Sequence, residues 1–281
     1  MNAKLLDLST LLNGRRYVII SDVHSCSQEL EALLAKVNFD SNRDILISGG
    51  DNFDRGPFPL SVLNYCMLMQ SRGLFYGVMG NHDDKLLRYL KGGKVKIKNG
   101  LQGTIDAFES TTTGIKVDKD KLIAFLESFH HVLKVPEGYV VHAGFNPTHR
   151  PERQMSQDCL YMRYFGGKDF FDNINGRYWY EFLPNDYPNT FSGHEVHPEK
   201  VHVRAPNAVP MYVYPNDYLL DGGCVFGGEL RLWDSKDKLV HTIQAIKNYT
   251  DKETIVSQER RLAMLEEARK EYYQIPPSLK A

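Results

Sequence analysis

Short apolar runs recur along the chain, and each ends in a polar loop carrying glycine, aspartate or histidine. Arg15-Arg16-Tyr17-Val18-Ile19-Ile20, Ile45-Leu46-Ile47 and Leu74-Phe75-Tyr76-Gly77-Val78-Met79 read as buried strands. Between them the period changes to that of a helix. Leu30, Leu33, Leu34 and Val37 share one side over residues 29–37, residues 60–69 form an apolar helix, and residues 84–90 a third. Strand, polar loop and helix therefore occur three times, each time with ligand-type side chains at the same sheet edge. Open α/β sheets keep their chemistry at the carboxyl ends of strands.

Further on, residues 101–129 read as helical with a break near Thr111-Thr112-Thr113-Gly114. Strands follow at 132–135 and 139–141, the second delivering His142-Ala143-Gly144. Beyond Pro151 the chain turns aromatic and less regular until Thr190-Phe191-Ser192-Gly193-His194 repeats the strand-end pattern. Runs near Met211, Leu219, Leu230 and Leu239 predict a second sheet, with Asp221-Gly222-Gly223 between two of them. Residues 252–273 read as a charged amphipathic helix. The expected organisation is a catalytic domain over 1–250 and a helical C-terminal tail over 251–281.

Composition narrows the classes. The chain has 281 residues, 42% hydrophobic and 25% charged, which suits one large soluble domain. A net charge of −1 offers no polycation for broad nucleic-acid binding. Cys26, Cys66, Cys159 and Cys224 are far apart and form no CxxC pair, so neither a disulfide framework nor a thiolate zinc site is expected. No long apolar segment opens the chain or spans a bilayer, and a cytoplasmic protein is expected.

The densest chemistry lies on Gly49-Gly50-Asp51-Asn52-Phe53-Asp54-Arg55-Gly56-Pro57, where two carboxylates and an arginine share one tight loop. Asp22 and His24 are two apart on an extended backbone, so they share a face and make a natural pair of metal ligands. Lysines at 91, 94, 96 and 98 lie on an exposed, glycine-rich insertion over 91–103 and read first as a solvated face.

Asp22-x-His24, Gly50-Asp51-x-x-Asp54-Arg55-Gly56, Gly80-Asn81-His82-Asp83, His142-Ala143-Gly144 and Gly193-His194 follow the order and spacing of the calcineurin-like metallophosphoesterases. The chain most resembles the phosphoprotein-phosphatase branch, over roughly residues 16–245. Gly80-Asn81-His82-Asp83-x-Lys85-Leu86, Cys159-Leu160-Tyr161, Arg177-Tyr178-x-Tyr180 and Asp221-Gly222-Gly223-Cys224 look like the phosphatase module of bacterial polynucleotide kinase-phosphatases. Bis(5'-nucleosyl)-tetraphosphatases are also similar. Ser21 and Ser25 stand where the family usually has glycines, and Gly222 where that branch commonly has threonine. The fold implied is α/β, a metallophosphoesterase β-sandwich of two mixed sheets flanked by helices.

In such a site two divalent metals neutralise the phosphate and acidify a bridging water to hydroxide. Asp51, central and on the tightest loop, is the expected bridging carboxylate. The resemblance implies that Asp22 and His24 complete one metal site and Asn81, His142 and His194 the other. Nitrogen and oxygen donors without thiolate suit Mn²⁺, Fe or Zn²⁺ better than Mg²⁺, and the resemblance implies Mn²⁺ first, with Fe, Zn²⁺ or Ni²⁺ as alternatives. His82 follows a ligand directly and is the expected general acid, with Asp54 as its charge partner. Arg55 is the expected phosphate clamp. The family implies a second clamping arginine, Arg177 or Arg163, with Arg177 preferred, and Asp221 looks like a carboxylate that orients a ligand histidine. His130, His131, His149, His197, His202 and His241 match no motif position.

The leading functional expectation is phosphomonoester hydrolysis, at nucleotide or polynucleotide ends. Dinucleoside polyphosphate hydrolysis is the alternative, followed by protein serine/threonine phosphatase and an inactive metal-binding scaffold. No GxxxxGK[ST] loop is present, so no kinase module is expected in this chain.

Overall fold

The computed structural model describes residues 1–110, 117–170, 172, 175–196, 213–214 and 217–250. In chain order these form β1 (Leu5–Asp7), α1 (Ser9–Leu12), β2 (Tyr17–Ile20), α2 (Ser27–Lys36), β3 (Ile45–Ser48), α3 (Pro59–Ser71), β4 (Phe75–Gly77) and α4 (Asn81–Leu90). Then come α5 (Leu101–Glu109), α6 (Lys119–Glu127), β5 (Val132–Val135), β6 (Gly138–Val141), α7 (Ser156–Tyr161), β7 (Tyr164–Phe165) and β8 (Arg177–Tyr178). The last strands are β9 (Thr190–Ser192), β10 (Val213–Tyr214), β11 (Asp217–Leu219), β12 (Glu229–Asp234) and β13 (Leu239–Gln244).

Two mixed sheets carry the fold, ordered β13-β12-β2-β3-β4 and β1-β5-β6-β9-β11-β10. β2, β3 and β4 pair in parallel, joined by crossover helices α2 and α3, as their strand–helix periodicity predicts. Every residue of β2 and β3 is buried, which explains why both read as unbroken apolar runs rather than alternating ones. The sheets face one another across an aromatic seam. Phe191 of β9 stacks on Tyr218 of β11 at 4.7 Å and meets Trp233 of β12 at 4.8 Å, and Trp233 meets Tyr17 of β2 at 5.8 Å. A second apolar cluster, built on Val132, Tyr139, Val141 and Leu219, packs beneath Phe145, Trp179 and Tyr187.

Three expectations change. The four late strands do not form one second sheet: β10 and β11 join the six-stranded sheet, but β12 pairs antiparallel with β2 and brings β13 with it. Hydrophobic pattern does not choose a partner, and here the choice spans more than two hundred positions. The third helix begins at Asn81, not Asp84, because Asp83 at its third position accepts from the Gly80 N–H and caps it. β1 and α1 were not expected; β1 is held as an edge strand by parallel pairing with β5. The predicted helix over 252–273, the 251–281 tail, the break at 111–114, and His197 and His202 lie outside the described residues. No helix among the described residues is long and apolar enough to cross a membrane.

Candidate metal centre

Each chemistry-bearing segment lies at or just past a strand end: residues 21–25 follow β2, 49–56 follow β3, 142–144 follow β6 and 193–194 follow β9, while 80–82 lie three residues past β4 at the start of α4. The loops extend the strand ladder past the sheet edge. Asp22 N–H donates to Gly50 O at 3.1 Å, His24 N–H to Asp51 O at 2.9 Å, and Gly193 N–H to His142 O at 2.8 Å. Asp22, His24, Asp51, Asp54, Arg55 and His194 all have φ between 44° and 70°. Left-handed backbone costs a non-glycine residue roughly 1–2 kcal/mol, so these loops hold their side chains at the expense of stability. Glycines make the close approach possible: a Cβ on Gly80 would lie 2.2 Å from Asp51 N.

His24 Nε2 lies 3.6 Å from Asp51 Oδ2, and His142 Nε2 lies 3.5 Å from Asp51 Oδ1. Asp51 thus presents one carboxylate oxygen to each histidine, as expected of a bridging group. Ligand atoms of His24, Asp51 and His82 lie within 4.8 Å of one another, as do those of Asp51, His142 and His194. Asn81 Oδ1 is 3.1 Å from His142 Nε2. Asp22 belongs to neither triad; its Oδ2 accepts from Ser21 Oγ at 2.6 Å and from His194 N–H at 3.0 Å.

The donor set fits divalent cations. His24 Nδ1 donates to Phe53 O at 2.9 Å and His142 Nδ1 to Gly49 O at 3.1 Å, so each presents its Nε2 lone pair to Asp51. His194 Nε2 is buried and has no hydrogen-bond partner. Burial is the main cause of protonation here. It holds His24 and His194 well below the ordinary histidine range and brings His142 to about 3, so all three imidazoles are neutral and available to a cation. It also raises Asp51 to about 7 and pushes Asp22 well above its ordinary value, Asp221 and Asp51 adding repulsion at Asp22. Neutral imidazoles and crowded carboxylates make a site where added positive charge is favourable.

His82 is buried with its Nδ1 2.7 Å from Asp54 Oδ2, and its backbone N–H donates to Asp51 Oδ1 at 2.9 Å. Arg55 Nη1 donates to His24 Nε2 at 2.7 Å, the lone pair a metal would take, and its guanidinium lies over Phe226 at 5.2 Å. Of the two further arginines, Arg163 is the nearer in charge: it acts on His142, His194 and Asp22, and it pairs with Glu195 beside His194. Arg177 is exposed, 4.0 Å from Glu181 and stacked on Phe182. Asp221 does not bond a ligand histidine; its Oδ1 accepts from Gly223 N–H at 2.8 Å, and its charge acts on Asp22.

Asp83 went unassigned in the sequence reading. It accepts from Asp51 N–H at 2.9 Å, Asn52 N–H at 3.2 Å and Gly80 N–H at 3.2 Å, tying the loops after β3 and β4 together. Its place beside His82 in an N-terminal helical turn was the available signal. Of the unmatched histidines, His131 accepts from Lys4 N–H, His149 lies by Thr148, and His241 pairs with Asp237, all away from this cluster. A groove of about 780 Å³ near Arg16, Asp44 and Glu137 lies at the opposite strand ends and contains none of these residues.

Among curated proteins, bis(5'-nucleosyl)-tetraphosphatase PrpE (asymmetrical) of Bacillus subtilis (strain 168) is 28% identical over 242 residues, covering 76% of this chain and 88% of its own. Its namesake in Oceanobacillus iheyensis is 29% identical over 231 residues, covering 78% and 88%. Among solved structures, a candidate diadenosine tetraphosphatase aligns with a TM-score of 0.67 at 24% identity, covering 86% of this chain and 98% of that one. A protein serine/threonine phosphatase from Saccharomyces cerevisiae, similar to human phosphatase PP5, aligns at 0.58 and 12%, covering 87% and 84%. Those two likenesses concern the fold. Residues 15–229 match the family described as calcineurin-like phosphoesterase, a span that runs from Asp22 past Asp221. With the strand-end loops, the neutral histidines and the shared carboxylate all inside that span, the chain belongs to the calcineurin-like phosphoesterases and is a metal-dependent phosphoesterase.

Proposed function

We propose that this phosphoesterase hydrolyses dinucleoside polyphosphates of the diadenosine tetraphosphate class, with phosphomonoesters at nucleotide or polynucleotide ends as the second reading. The sequence alone favoured the second. The relatives named as tetraphosphatases, aligned over three quarters of the chain, move the balance to the first. The observation that carries the catalytic part is Asp51 set between His24 and His142, one oxygen toward each.

Asp22, His24 and Asp51 would hold one divalent ion, and Asp51, Asn81, His142 and His194 would hold the other. Mn²⁺ is the proposed metal, since imidazole, amide and carboxylate donors without thiolate suit it, with Fe, Zn²⁺ or Ni²⁺ as alternatives. When bound, the ions supply charge neutralisation at the phosphoryl group and activation of water.

The rest is the chain's own work. Asp54 fixes the His82 ring through Nδ1, so the proton passed to the leaving oxygen sits on Nε2. Arg55 binds phosphoryl oxygens bidentately once His24 Nε2 is engaged elsewhere, and Arg163 is the second clamp. Asp83 and Ser21 keep Asp51 and Asp22 in place.

One assay tests this reading. Diadenosine tetraphosphate, a phosphorylated oligonucleotide and a phosphopeptide are compared under one Mn²⁺ condition. The highest kcat/KM is expected on diadenosine tetraphosphate. A higher value on the oligonucleotide establishes the second reading, and a higher value on the phosphopeptide overturns both.

A further inference from the structure

We propose that Lys85 and Lys98 form, beside Arg55, a subsite for the phosphates that follow the reacting one in a polyphosphate chain. The inference rests on the dinucleoside polyphosphate reading and assigns it residues. α4 starts at Asn81, a proposed metal ligand, and Lys85 lies four positions on, hence on the same face and about 6 Å further along the axis. That offset suits a neighbouring phosphate and not the one at the metals.

The lysine-bearing segment is folded back toward the centre. Lys85 Nζ donates to Lys98 O at 2.8 Å, which clasps residues 94–98 to α4. Two residues on, Gly100 presses against the clamp loop: a Cβ there would lie 2.1 Å from Arg55 N. Lys98 is thereby held next to the Arg55 loop. The sequence offers Lys94, Lys96 and Lys98 either as a solvated face or as contacts for a nucleotide's neighbouring phosphates, and does not single out Lys85.

The charges around Lys85 describe an anion site. Burial holds its ammonium below the ordinary range; Asp54 opposes this, but Lys98, Arg88 and Arg55 add repulsion. Arg88 is committed to Asp84 at 2.8 Å. Lys85 spends one of its three donors on Lys98 O, which leaves two for a ligand. Like charges gathered beside a phosphate site are stabilised by an anion longer than one phosphoryl group. A nucleoside polyphosphate has that chemistry; a simple aryl phosphate does not.

The test uses Lys85→Met, which keeps the apolar stem, and Lys98→Met, in the full chain at fixed free Mn²⁺. The ratio of kcat/KM on diadenosine tetraphosphate to that on p-nitrophenyl phosphate should fall about tenfold in Lys85→Met, the loss of one charged contact, and appear in KM. Lys85→Arg should restore it. Independently, ATP should inhibit p-nitrophenyl phosphate hydrolysis more strongly than AMP, and each Met variant should shrink that preference. An unchanged ratio and an unchanged ATP preference overturn the subsite and leave the functional reading untouched. If wild-type protein fails on diadenosine tetraphosphate yet shows an ATP preference that depends on Lys85, the subsite stands and the functional reading falls.

Discussion

His82 Nδ1 lies 2.7 Å from Asp54 Oδ2, and both side chains are buried. The second Asp54 oxygen accepts from Thr104 Oγ1 at 2.7 Å, so the carboxylate cannot turn away from the ring. An imidazole held this way has its Nδ1 committed to a carboxylate, which suits the acid role proposed for it. His82→Ala should leave metal content nearly intact and lower turnover of an alkyl phosphomonoester by about 10²–10⁴-fold. The loss on p-nitrophenyl phosphate, whose leaving group needs little protonation, should be smaller. Equal losses on the two esters would refute the acid role.

Asp51 is expected to be indispensable to the dinuclear centre. Asp51→Asn keeps an acceptor for the His82 N–H but removes the charge shared by two ions. Metal analysis of Mn²⁺-saturated protein should give two ions per chain for wild type and at most one for the variant. Two ions retained in the variant would exclude Asp51 as the bridge.

The two serines that replace family glycines make separate predictions. Ser21 Oγ donates to Asp22 Oδ2, so Ser21→Ala should weaken metal affinity by about 10–100-fold, as loss of a ligand's hydrogen-bond partner does. Ser25 has φ 61° and a buried hydroxyl with no partner. Ser25→Gly should therefore stabilise the fold by about 1 kcal/mol, relief of strain and of the unpaired hydroxyl outweighing glycine's entropy. Urea unfolding measures the second effect and metal titration the first; a destabilised Ser25→Gly would count against the strain.

Arg16 makes the acid limb of stability predictable. Its guanidinium reaches Asp234 Oδ2 at 2.6 Å and Asp44 Oδ2 at 2.8 Å, binding β2 to β12. Burial alone would raise the Asp234 carboxyl, but bonds and charge from Arg16 hold it below 3.8. A depressed carboxyl stabilises the fold above its unfolded value and loses that contribution as pH falls from 3.8 through the folded value. Arg16→Met leaves the buried Asp234 without its ion-pair partner, while Asp44 keeps Arg43 Nε at 3.2 Å, and should cost about 3 kcal/mol at pH 7. The cost should shrink at pH 3, below the unfolded value of 3.8 from which Asp234 begins to lose its contribution. Unfolding at both pH values decides it; an equal cost at both would mean that charge is not the source.

That Asp22, His24, Asp51, Asn81, His82, His142 and His194 lie at strand ends was legible in the chain, because each lies within a few residues of a buried apolar run. A strand's end is encoded locally, and so is the loop that leaves it. Partners far apart in sequence were not legible. Cys26 and Cys224, which spacing set apart, meet in one buried cluster with Glu29, and β12 pairs with β2 across two hundred residues. Arg163 and Arg177 lie just before and within one small hairpin. Their sequence context is alike, but Arg163 is partly buried beside Glu195, with its backbone carbonyl held by the Trp179 N–H, while Arg177 is exposed. Lys85 gained meaning in the same way, from a bond to a carbonyl thirteen residues away. Local chemistry follows from neighbouring residues, whereas the choice among equivalent partners follows from how the whole core closes, which no single stretch contains.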